Sequence, residues 1–255
     1  MRCEDHDAVI RLCLTGPPLC PRGQLAMDEA VLNLADASRH PPALRTWQFD
    51  RPVVVLGRSS KWAVEVDHGY CDRQNIPVLR RVTGGASVVG GAGCLMYSVV
   101  ISLEEHPHLR HVDAAHEYVI RRVLTAVQRQ QPDAQWQGIC DLTWQNKKFS
   151  GNSLRITRGH LLYHGTILHA ADLDQIASCL AVAPRQPEYR QGRRHRQFIT
   201  NVPCEPSRLA EDLANEFSAH QSLTIATDDS SDPRVAMTDQ LRRKRYDSDA
   251  WHQRH

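Results

Sequence analysis

Stretches of helical and strand periodicity alternate along most of the chain. Between residues 24 and 37, apolar residues recur at helical spacing, which predicts an amphipathic helix. Asp28 and Glu29 fall inside this segment, and we expect their charges to stabilise its positive N-terminal end. The same periodicity predicts a second helix over residues 116–128, which would pack one apolar stripe against a sheet.

Short runs rich in β-branched residues predict the strands of that sheet. Runs at residues 53–56 and 76–79 are bounded by proline or glycine, and the run at 95–102 is long enough to cross a sheet. Further along, three candidate strands follow in quick succession. They lie at residues 140–144, 148–156 and 161–168, separated by the turn signals Gln145-Asn146 and Arg158-Gly159, and they predict an antiparallel meander.

The C-terminal third predicts shorter elements. Asp172 is expected to cap a short helix that runs to residue 180, and Ser207 to cap another. Residues 228–233 form a polar loop, and residues 237–255 a docked terminal helix and tail. Helices mixed with a mostly antiparallel sheet predict an α+β fold, with the sheet flanked by helices.

Composition restricts the classes of protein that this chain fits. Its 255 residues, 41% of them hydrophobic, contain no apolar run near the 18 residues needed to span a bilayer. The first ten residues contain no apolar signal core, so we expect a cytoplasmic protein. A net charge of +2 gives no field that would favour nucleic acid. The eight cysteines include no C-x-x-C pair, which predicts free thiols.

The first segment with candidate chemistry is a small-residue loop after two arginines. Arg80 and Arg81 precede Val82-Thr83-Gly84-Gly85-Ala86-Ser87-Val88-Val89-Gly90-Gly91-Ala92-Gly93. A bare backbone can approach a ligand closely and donate N–H groups to phosphate or carboxylate oxygens. The alternative is a glycine-rich turn flanked by surface arginines. Neither a P-loop nor a Rossmann fingerprint is present.

The second segment is the hairpin around Lys148. If residues 148–156 form a strand, Lys148 and Ser150 share a face, and the ammonium can point into a pocket where it would stabilise negative charge. The alternative is an exposed hairpin lysine. Nearby, Asp141 is a candidate Mg²⁺ ligand beside phosphates, or else a turn or cap residue.

Together these segments resemble the biotin and lipoate protein ligase family, in its lipoate-protein ligase and octanoyltransferase branch. The glycine loop is similar to the branch pattern R-R-x-S-G-G-G-A-V, and Lys148-Phe149-Ser150-Gly151-Asn152-Ser153 is similar to K-[IV]-S-G-[NS]-A. The run Tyr163-His164-Gly165-Thr166-Ile167-Leu168 is similar to H-H-G-T-L-L. The resemblance covers most of the chain and implies one catalytic domain over residues 1–255, of the biotin/lipoate protein ligase catalytic-domain type, without a C-terminal accessory domain.

The resemblance implies an acyl transfer that attaches a lipoyl or octanoyl group to a lysine of a lipoyl carrier domain. In the ligases, ATP first activates the carboxylate as an acyl adenylate, and the lysine that corresponds to Lys148 contacts the reacting acyl phosphate. Asp141 corresponds to a residue near Mg²⁺. The remaining residues that the match implies for substrate binding are Arg81, Thr83, Gly84, Gly85, Ala86, Ser150, Gly151, Asn152, His164, Gly165 and Thr166.

The chain departs from the ligase pattern in ways that leave alternatives open. Where the ligases have His-Asp and Gly-Asn, this chain has Gly90-Gly91 and Gly93-Cys94. Side chains expected near the adenylate are therefore absent, which argues against the use of ATP. Octanoyltransferases of the branch use a cysteine nucleophile and no ATP. Cys140 is the candidate, because a thiol near Lys148 would have a lowered pKa and form a thioester, whereas a buried strand cysteine would be inert. Cys94 is a weaker candidate.

Three functions therefore remain as hypotheses: a ligase that acts through lipoyl-AMP, an ATP-independent octanoyltransferase, and a non-catalytic module that binds a lipoyl group or carrier. The partners implied by the resemblance are lipoyl carrier domains of the 2-oxoacid dehydrogenase or glycine cleavage type, with a separate accessory protein as a further candidate. No membrane or nucleic-acid partner is expected. The basic run at residues 190–196 is either a contact for acidic carriers or phosphates, or a solvated loop.

Overall fold

The computed structural model describes residues 12–15, 19–37, 39–181, 186–226 and 229–255. Within these residues the strands are β1 (Leu12–Thr15), β2 (Ala43–Trp47), β3 (Val53–Leu56), β4 (Val78–Arg80), β5 (Val88–Gly90), β6 (Cys94–Ser102), β7 (Gln135–Gln137), β8 (Asp141–Trp144), β9 (Lys147–Ile156), β10 (His160–Leu168) and β11 (Gln221–Thr224). The helices are α1 (Pro21–Asp36), α2 (Trp62–Glu65), α3 (His68–Arg73), α4 (Val112–Gln128), α5 (Leu173–Cys179), α6 (His195–Phe198), α7 (Pro206–Glu216), α8 (Pro233–Leu241) and α9 (Asp249–His252). Two short 3₁₀ turns, Pro107–Arg110 and Glu188–Arg190, and one π-helical turn, Arg242–Tyr246, complete the list.

Eight strands form one large sheet in the order β11-β1-β2-β6-β10-β9-β8-β7, and β4-β3-β5 form a small second sheet. Every pair from β2 to β7 in the large sheet is antiparallel, whereas β1 runs parallel to both of its neighbours. The predicted α+β class and the meander are confirmed. Both residues of the Gln145-Asn146 turn have positive φ, which is the backbone of a tight two-residue hairpin.

The large sheet is buried on both faces. Along β6, Leu95, Tyr97 and Val99 join one apolar cluster, while Met96 and Val100 join another, because successive side chains point to opposite faces of a strand. The first cluster includes α4 and α7, and the second includes α1 and the small sheet. These two layers hold β6, β9 and β10 rigidly at the centre of the molecule.

Helix α1 corrects the expected role of Asp28 and Glu29. The helix begins at Pro21 rather than near residue 24, so both carboxylates lie beyond its first turn, which contains no acidic residue. Both side chains are buried. Tyr246 and Arg245 donate hydrogen bonds to Glu29. These contacts attach the C-terminal segment to α1.

Other boundaries shift by one to four residues. The strand predicted at 76–79 is observed at Val78–Arg80, and the helix predicted from residue 116 begins at Val112. Asp172 caps α5 as predicted. Ser207 does not cap α7: the carboxylate of Glu205 accepts from the N–H groups of Ser207 and Arg208, and a proline follows the cap directly.

The C-terminal segment is docked, as predicted, although it forms two helices joined by a π-helical turn. The indole of Trp251 donates to the carbonyl of Arg80 over 2.9 Å, which ties the segment to the small sheet. Of the predicted polar loop, residue 228 lies outside the described residues, and Pro233 already belongs to α8. None of the described helices is long and apolar enough to cross a membrane. The seven described cysteines are free thiols.

Candidate active site

The two segments singled out from the sequence meet at the centre of the large sheet. The glycine loop leaves β4 and lies against β9 and β10. The hydroxyl of Ser153 donates to the carbonyl of Gly84 over 2.8 Å, and Thr83 Oγ1 lies 2.6 Å from His164 Nε2. Gly85 has a φ of +82°, a conformation that side chains other than glycine rarely adopt. The turn that the loop makes toward the sheet therefore depends on glycine at this position.

Lys148 is the central cation of the site. Its Nζ lies 2.7 Å from Asp141 Oδ1, and its side chain is 28% exposed. The side chain folds along its own strand: Nζ lies 3.0 Å from the position that a Cβ on Gly151 would take. Glycine at this position leaves the space that the ammonium occupies, and Asp141 holds it there.

Asp141 uses both carboxylate oxygens within the protein. Oδ1 pairs with Lys148, and Oδ2 accepts a hydrogen bond from the hydroxyl of Tyr189 over 2.7 Å. Among the described residues, no group of three or more His, Cys, Asp or Glu side chains could hold a metal ion. The role of Asp141 as a Mg²⁺ ligand stays a prediction, and these contacts do not fit a protein-built magnesium site. We therefore derive no chemical step through magnesium.

The two arginines before the loop have different surroundings. The Arg80 side chain is fully buried and donates to main-chain carbonyls, among them those of Gly57 (2.8 Å) and Ser60 (2.7 Å). Arg81 donates to Thr83 Oγ1 over 2.9 Å and to the carbonyls of Val55, Gly84 and Ala86. Burial lowers the pKa of Arg81 to about 10, so its guanidinium stays charged at neutral pH. Arg81 therefore shapes the glycine loop from within.

A chain of hydrogen bonds leads from the glycine loop to α1. Thr83 Oγ1 accepts from Arg81 Nε and lies 2.6 Å from His164 Nε2. His164 Nδ1 lies 3.2 Å from Asp28 Oδ2, and because an ionised carboxylate only accepts hydrogen bonds, Nδ1 donates to it and Nε2 of the neutral imidazole accepts from the Thr83 hydroxyl. Asp28 is buried and also accepts from Arg45 (2.6 Å). The periodicity of the sequence places Asp28 near a helix end and gives no signal for this contact with His164.

Cys140 lies just before β8, next in sequence to Asp141, the ion-pair partner of Lys148. It is half-buried, and its thiol donates to the carbonyl of Asn152 over 3.2 Å. Burial and the neighbouring charge of Asp141 raise the pKa of Cys140 to about 11, although Lys148 and Arg81 act in the opposite direction. The expected lowered pKa is therefore wrong, because desolvation outweighs the two cations. Burial also raises the pKa of Cys94, to about 12.

Asn152 orders the centre of the hairpin. Its amide donates to the carbonyl of Cys140 (2.7 Å) and to Ser150 Oγ (3.1 Å), and its Oδ1 accepts from the hydroxyl of Tyr97. A Cβ on Gly165 would lie 1.8 Å from that Oδ1, so glycine at this position makes the room for Asn152. The K-F-S-G-N-S and Y-H-G-T runs thus interlock across β9 and β10.

Two chambers open on either side of Lys148, with volumes of about 590 Å³ and 720 Å³ including their mouths. Apolar walls of the first chamber come from Leu25, Trp47, Val55 and Met96, which lie far apart in the sequence. At its polar end this first chamber is lined by Arg81, Ala86, Lys148, Gly151, Asn152, His164, Gly165 and Thr166.

The second chamber shares six lining residues with the first, namely Ala86, Ser87, Val88, Lys148, Gly151 and Thr166. Ser150 lines the second chamber together with its neighbours Phe149 and Gly151, and the shared face of Lys148 and Ser150 stays a prediction. Thr83, Gly84 and Gly85 line neither chamber, so the structure places them behind the loop surface.

Comparison with known proteins assigns this arrangement to a family. The model of the lipoyl protein ligase A/B catalytic domain matches residues 20–212. The chain is 24% identical to octanoyltransferase LipM of Brevibacillus brevis, with 92% of this chain and 96% of that protein aligned. It is 26% identical to lipoate-protein ligase 1 of Staphylococcus aureus over 71% of this chain, and spans only 53% of that ligase.

A solved structure agrees in fold. The putative lipoate protein ligase Ta0514 of T. acidophilum, determined with bound lipoic acid, superposes with a TM-score of 0.77. The match covers 95% of this chain and 98% of that one, at 23% identity. At this identity the likeness shows the shared architecture of sheet and helices.

Proposed function

Because the chain belongs to the lipoyl protein ligase A/B catalytic domain family, we propose that it attaches a lipoyl or octanoyl group to a lysine of a lipoyl carrier domain through an acyl adenylate. The observation that carries this proposal is the position of Lys148, whose side chain lines both chambers. A cation at the junction of two chambers is suited to a reaction that joins an apolar acid to a phosphorylated group.

The first chamber fits the acyl chain. Its far walls are apolar, and a chain seated against Leu25, Val55 and Met96 would direct its carboxylate toward Lys148. Burying such a chain contributes about 0.8 kcal/mol per CH₂ group, so six or seven methylenes would contribute about 5 kcal/mol. The relative of known structure that was determined with lipoic acid supports this assignment.

The proposed reaction has two steps. A carboxylate oxygen of the acid first attacks the α-phosphorus of ATP, and pyrophosphate leaves. The carrier lysine amine then attacks the acyl carbonyl, AMP leaves with the electron pair of the broken C–O bond, and the amine loses one proton. Lys148 donates hydrogen bonds to the acyl-phosphate oxygens, where negative charge develops in both steps. Asp141 keeps the ammonium oriented.

A second candidate function is an octanoyltransferase that works without ATP. Cys140 Sγ would attack the carbonyl of an acyl thioester, pass its proton to the departing thiolate, and then yield the acyl group to the carrier amine. The positive charge of Lys148, which acts to lower the pKa of this thiol, favours the idea, as does the near full-length match to octanoyltransferase LipM. The raised pKa of Cys140 opposes it, because the thiolate is the nucleophilic form.

The carrier and the cellular compartment are part of the proposal. We propose lipoyl domains of 2-oxoacid dehydrogenase or glycine cleavage type as acceptors, and a separate accessory protein as a further partner. We also propose that the reaction takes place in the cytoplasm. Seven free thiols among the described residues support a reducing compartment.

Intact-mass analysis of a lipoyl domain tests the function. The domain is incubated with the protein and either lipoate, ATP and Mg²⁺, or an octanoyl-carrier thioester without ATP. We expect a mass gain only with ATP, lost by a factor of about 100 or more in Lys148→Ala and retained in Cys140→Ala. Lys147→Ala is the matched control, because Lys147 is the exposed neighbour on the same strand.

Each other outcome has a defined meaning. A gain only from the thioester, abolished by Cys140→Ala, would replace the ligase with the octanoyltransferase. Full activity of Lys148→Ala would remove Lys148 from the reaction. Absence of a gain in both tubes, with lipoate still bound, would favour the non-catalytic binding module.

A further inference from the structure

Arg190 is a buried guanidinium outside the reaction centre described above. It ends the 3₁₀ turn Glu188–Arg190 and is only 4% exposed, although the surrounding basic run suggests a solvated loop. Its Nε donates to the carbonyl of Arg193 over 2.9 Å. Its Nη2 is buried and has no hydrogen-bond partner among the described residues. Buried N–H groups are nearly always paired, so this nitrogen is a donor in need of an acceptor.

The charge of Arg190 is also uncompensated. The side chain lies over the ring of Phe198, with 4.8 Å from Cζ to the ring centroid, and Arg193 lies over the same ring. Within the described parts of the chain, no ion pair joins Arg190 to a carboxylate. Two guanidinium groups sharing one aromatic ring favour an anion beside them.

Arg190 faces the second chamber. Lys148, Arg190 and His195 all line that chamber, and its described lining contains no Asp or Glu. Apolar side chains form much of the remaining wall, with Leu168, Ile176 and Phe198 among them. Burial, Arg190 and Lys148 lower the pKa of His195 to about 4, so this imidazole is neutral at pH 7 and can accept or donate a hydrogen bond.

We propose that Arg190 binds a phosphate group of the molecule that activates or delivers the acyl group. This inference rests on the proposed function and adds to it a recognition residue in the second chamber. Two kinds of molecule have the required chemistry, which is a phosphate group next to an apolar or aromatic portion. If the protein is a ligase, this molecule is a nucleoside triphosphate. If it is a transferase, this molecule is an acyl-carrier thioester, whose phosphopantetheine arm contains the phosphate.

Paired ligands with and without phosphate test the contact. Dissociation constants are measured by calorimetry for ATP against adenosine, and for octanoyl-4′-phosphopantetheine against octanoyl-pantetheine. We expect Arg190→Gln to weaken the phosphorylated member of one pair by about tenfold or more, the size of one charge-assisted hydrogen bond, and to leave its unphosphorylated partner unchanged. The ligand pair whose phosphorylated member loses affinity in Arg190→Gln identifies the molecule that activates or delivers the acyl group.

Two further variants control for structure. Arg194→Gln removes the same charge from an exposed position of the same loop, and it should bind all four ligands like the wild type. Arg190→Lys keeps the charge and should restore part of the affinity. The ratio of affinities within each pair is independent of the folded fraction, so a partly unfolded variant still gives an answer.

The outcomes separate this inference from the proposed function. Equal affinity of wild type and Arg190→Gln for both phosphorylated ligands would refute the phosphate contact, as would failure of the wild type to bind either one. Carrier acylation that continues at the wild-type rate and affinity in Arg190→Gln would refute the contact and keep the function. Phosphate-dependent binding through Arg190 without any acylation would keep the contact and refute the function.

Discussion

Asp28 of α1 and His164 of β10 are joined by a hydrogen bond of 3.2 Å, although 136 positions separate them in the chain. Asp28 fixes the imidazole tautomer, and His164 in turn accepts from Thr83, so the glycine loop is connected to a buried carboxylate. The connection orients groups at the polar end of the first chamber. Asp28 also lines the first chamber, and through His164 it acts as a positioning residue.

Removing the charge of Asp28 should destabilise the fold. Asp28→Asn leaves the buried guanidinium of Arg45 without its anion, and breaking a buried pair in this way costs about 3 kcal/mol. Urea unfolding measures the loss. The exposed pair of Glu117 and Arg121 provides the control, because Glu117→Gln should change stability by less than about 0.5 kcal/mol. Equal losses of stability in the two variants would show that the buried pair of Asp28 and Arg45 contributes no more than an exposed pair.

The same carboxylate should make stability depend on acid. Burial raises the pKa of Asp28, but the hydrogen bond from His164 and the charge of Arg45 together hold it below its ordinary value, about 3.9 in an unfolded chain. A depressed folded-state pKa contributes stability that is present above about pH 3.9 and is lost as pH falls through the folded value. Unfolding free energies measured from pH 5 downward should therefore fall less steeply for Asp28→Asn, by up to about 1.4 kcal/mol per pH unit. Parallel curves for variant and wild type would contradict this.

The resemblance to the ligase branch, which rests on three contiguous runs in a recognisable order, implies that the glycine loop, Lys148 and His164 belong to one site. The meander was also predictable, since each strand is long and each turn has its own signal. Local patterns of this kind survive folding because they depend on neighbours within a few positions.

Asp28 and the walls of the first chamber were not predictable in the same way. A carboxylate in a helix is ordinarily a solvated residue, and the burial of Asp28 is favourable because Arg45, Ser98 and His164, which lie on three strands, donate hydrogen bonds to it. The burial of Arg190 was not predictable either, because a run of basic residues is typical of a solvated surface and Arg190 is its one buried member. The raised pKa of Cys140 depends on desolvation, which no spacing of residues reveals.

The thiol of Cys140 should react slowly with iodoacetamide. With its pKa raised to about 11 by burial and Asp141, only about one part in a thousand is thiolate at pH 8. We expect modification at least about tenfold slower than in the urea-unfolded chain, even after allowing for the greater nucleophilicity of a basic thiolate. Peptide mapping follows the residue, and exposed Cys20 reports on the reagent. Labelling at the unfolded rate would restore Cys140 as an activated nucleophile.

The interlock of Asn152 with Gly165 predicts a sharp difference between two glycines of the site. In Gly165→Ala the new methyl would lie 1.8 Å from Asn152 Oδ1 and 2.8 Å from Tyr97 Cε1, so neighbouring strands must shift. Overpacking of this kind costs about 1–3 kcal/mol. Gly84→Ala is the control, because nothing lies within 4 Å of its added Cβ, and we expect a change below about 1 kcal/mol. Thermal and urea unfolding compare the pair, and a Gly165→Ala protein as stable as Gly84→Ala would show that Asn152 does not depend on the space above Gly165.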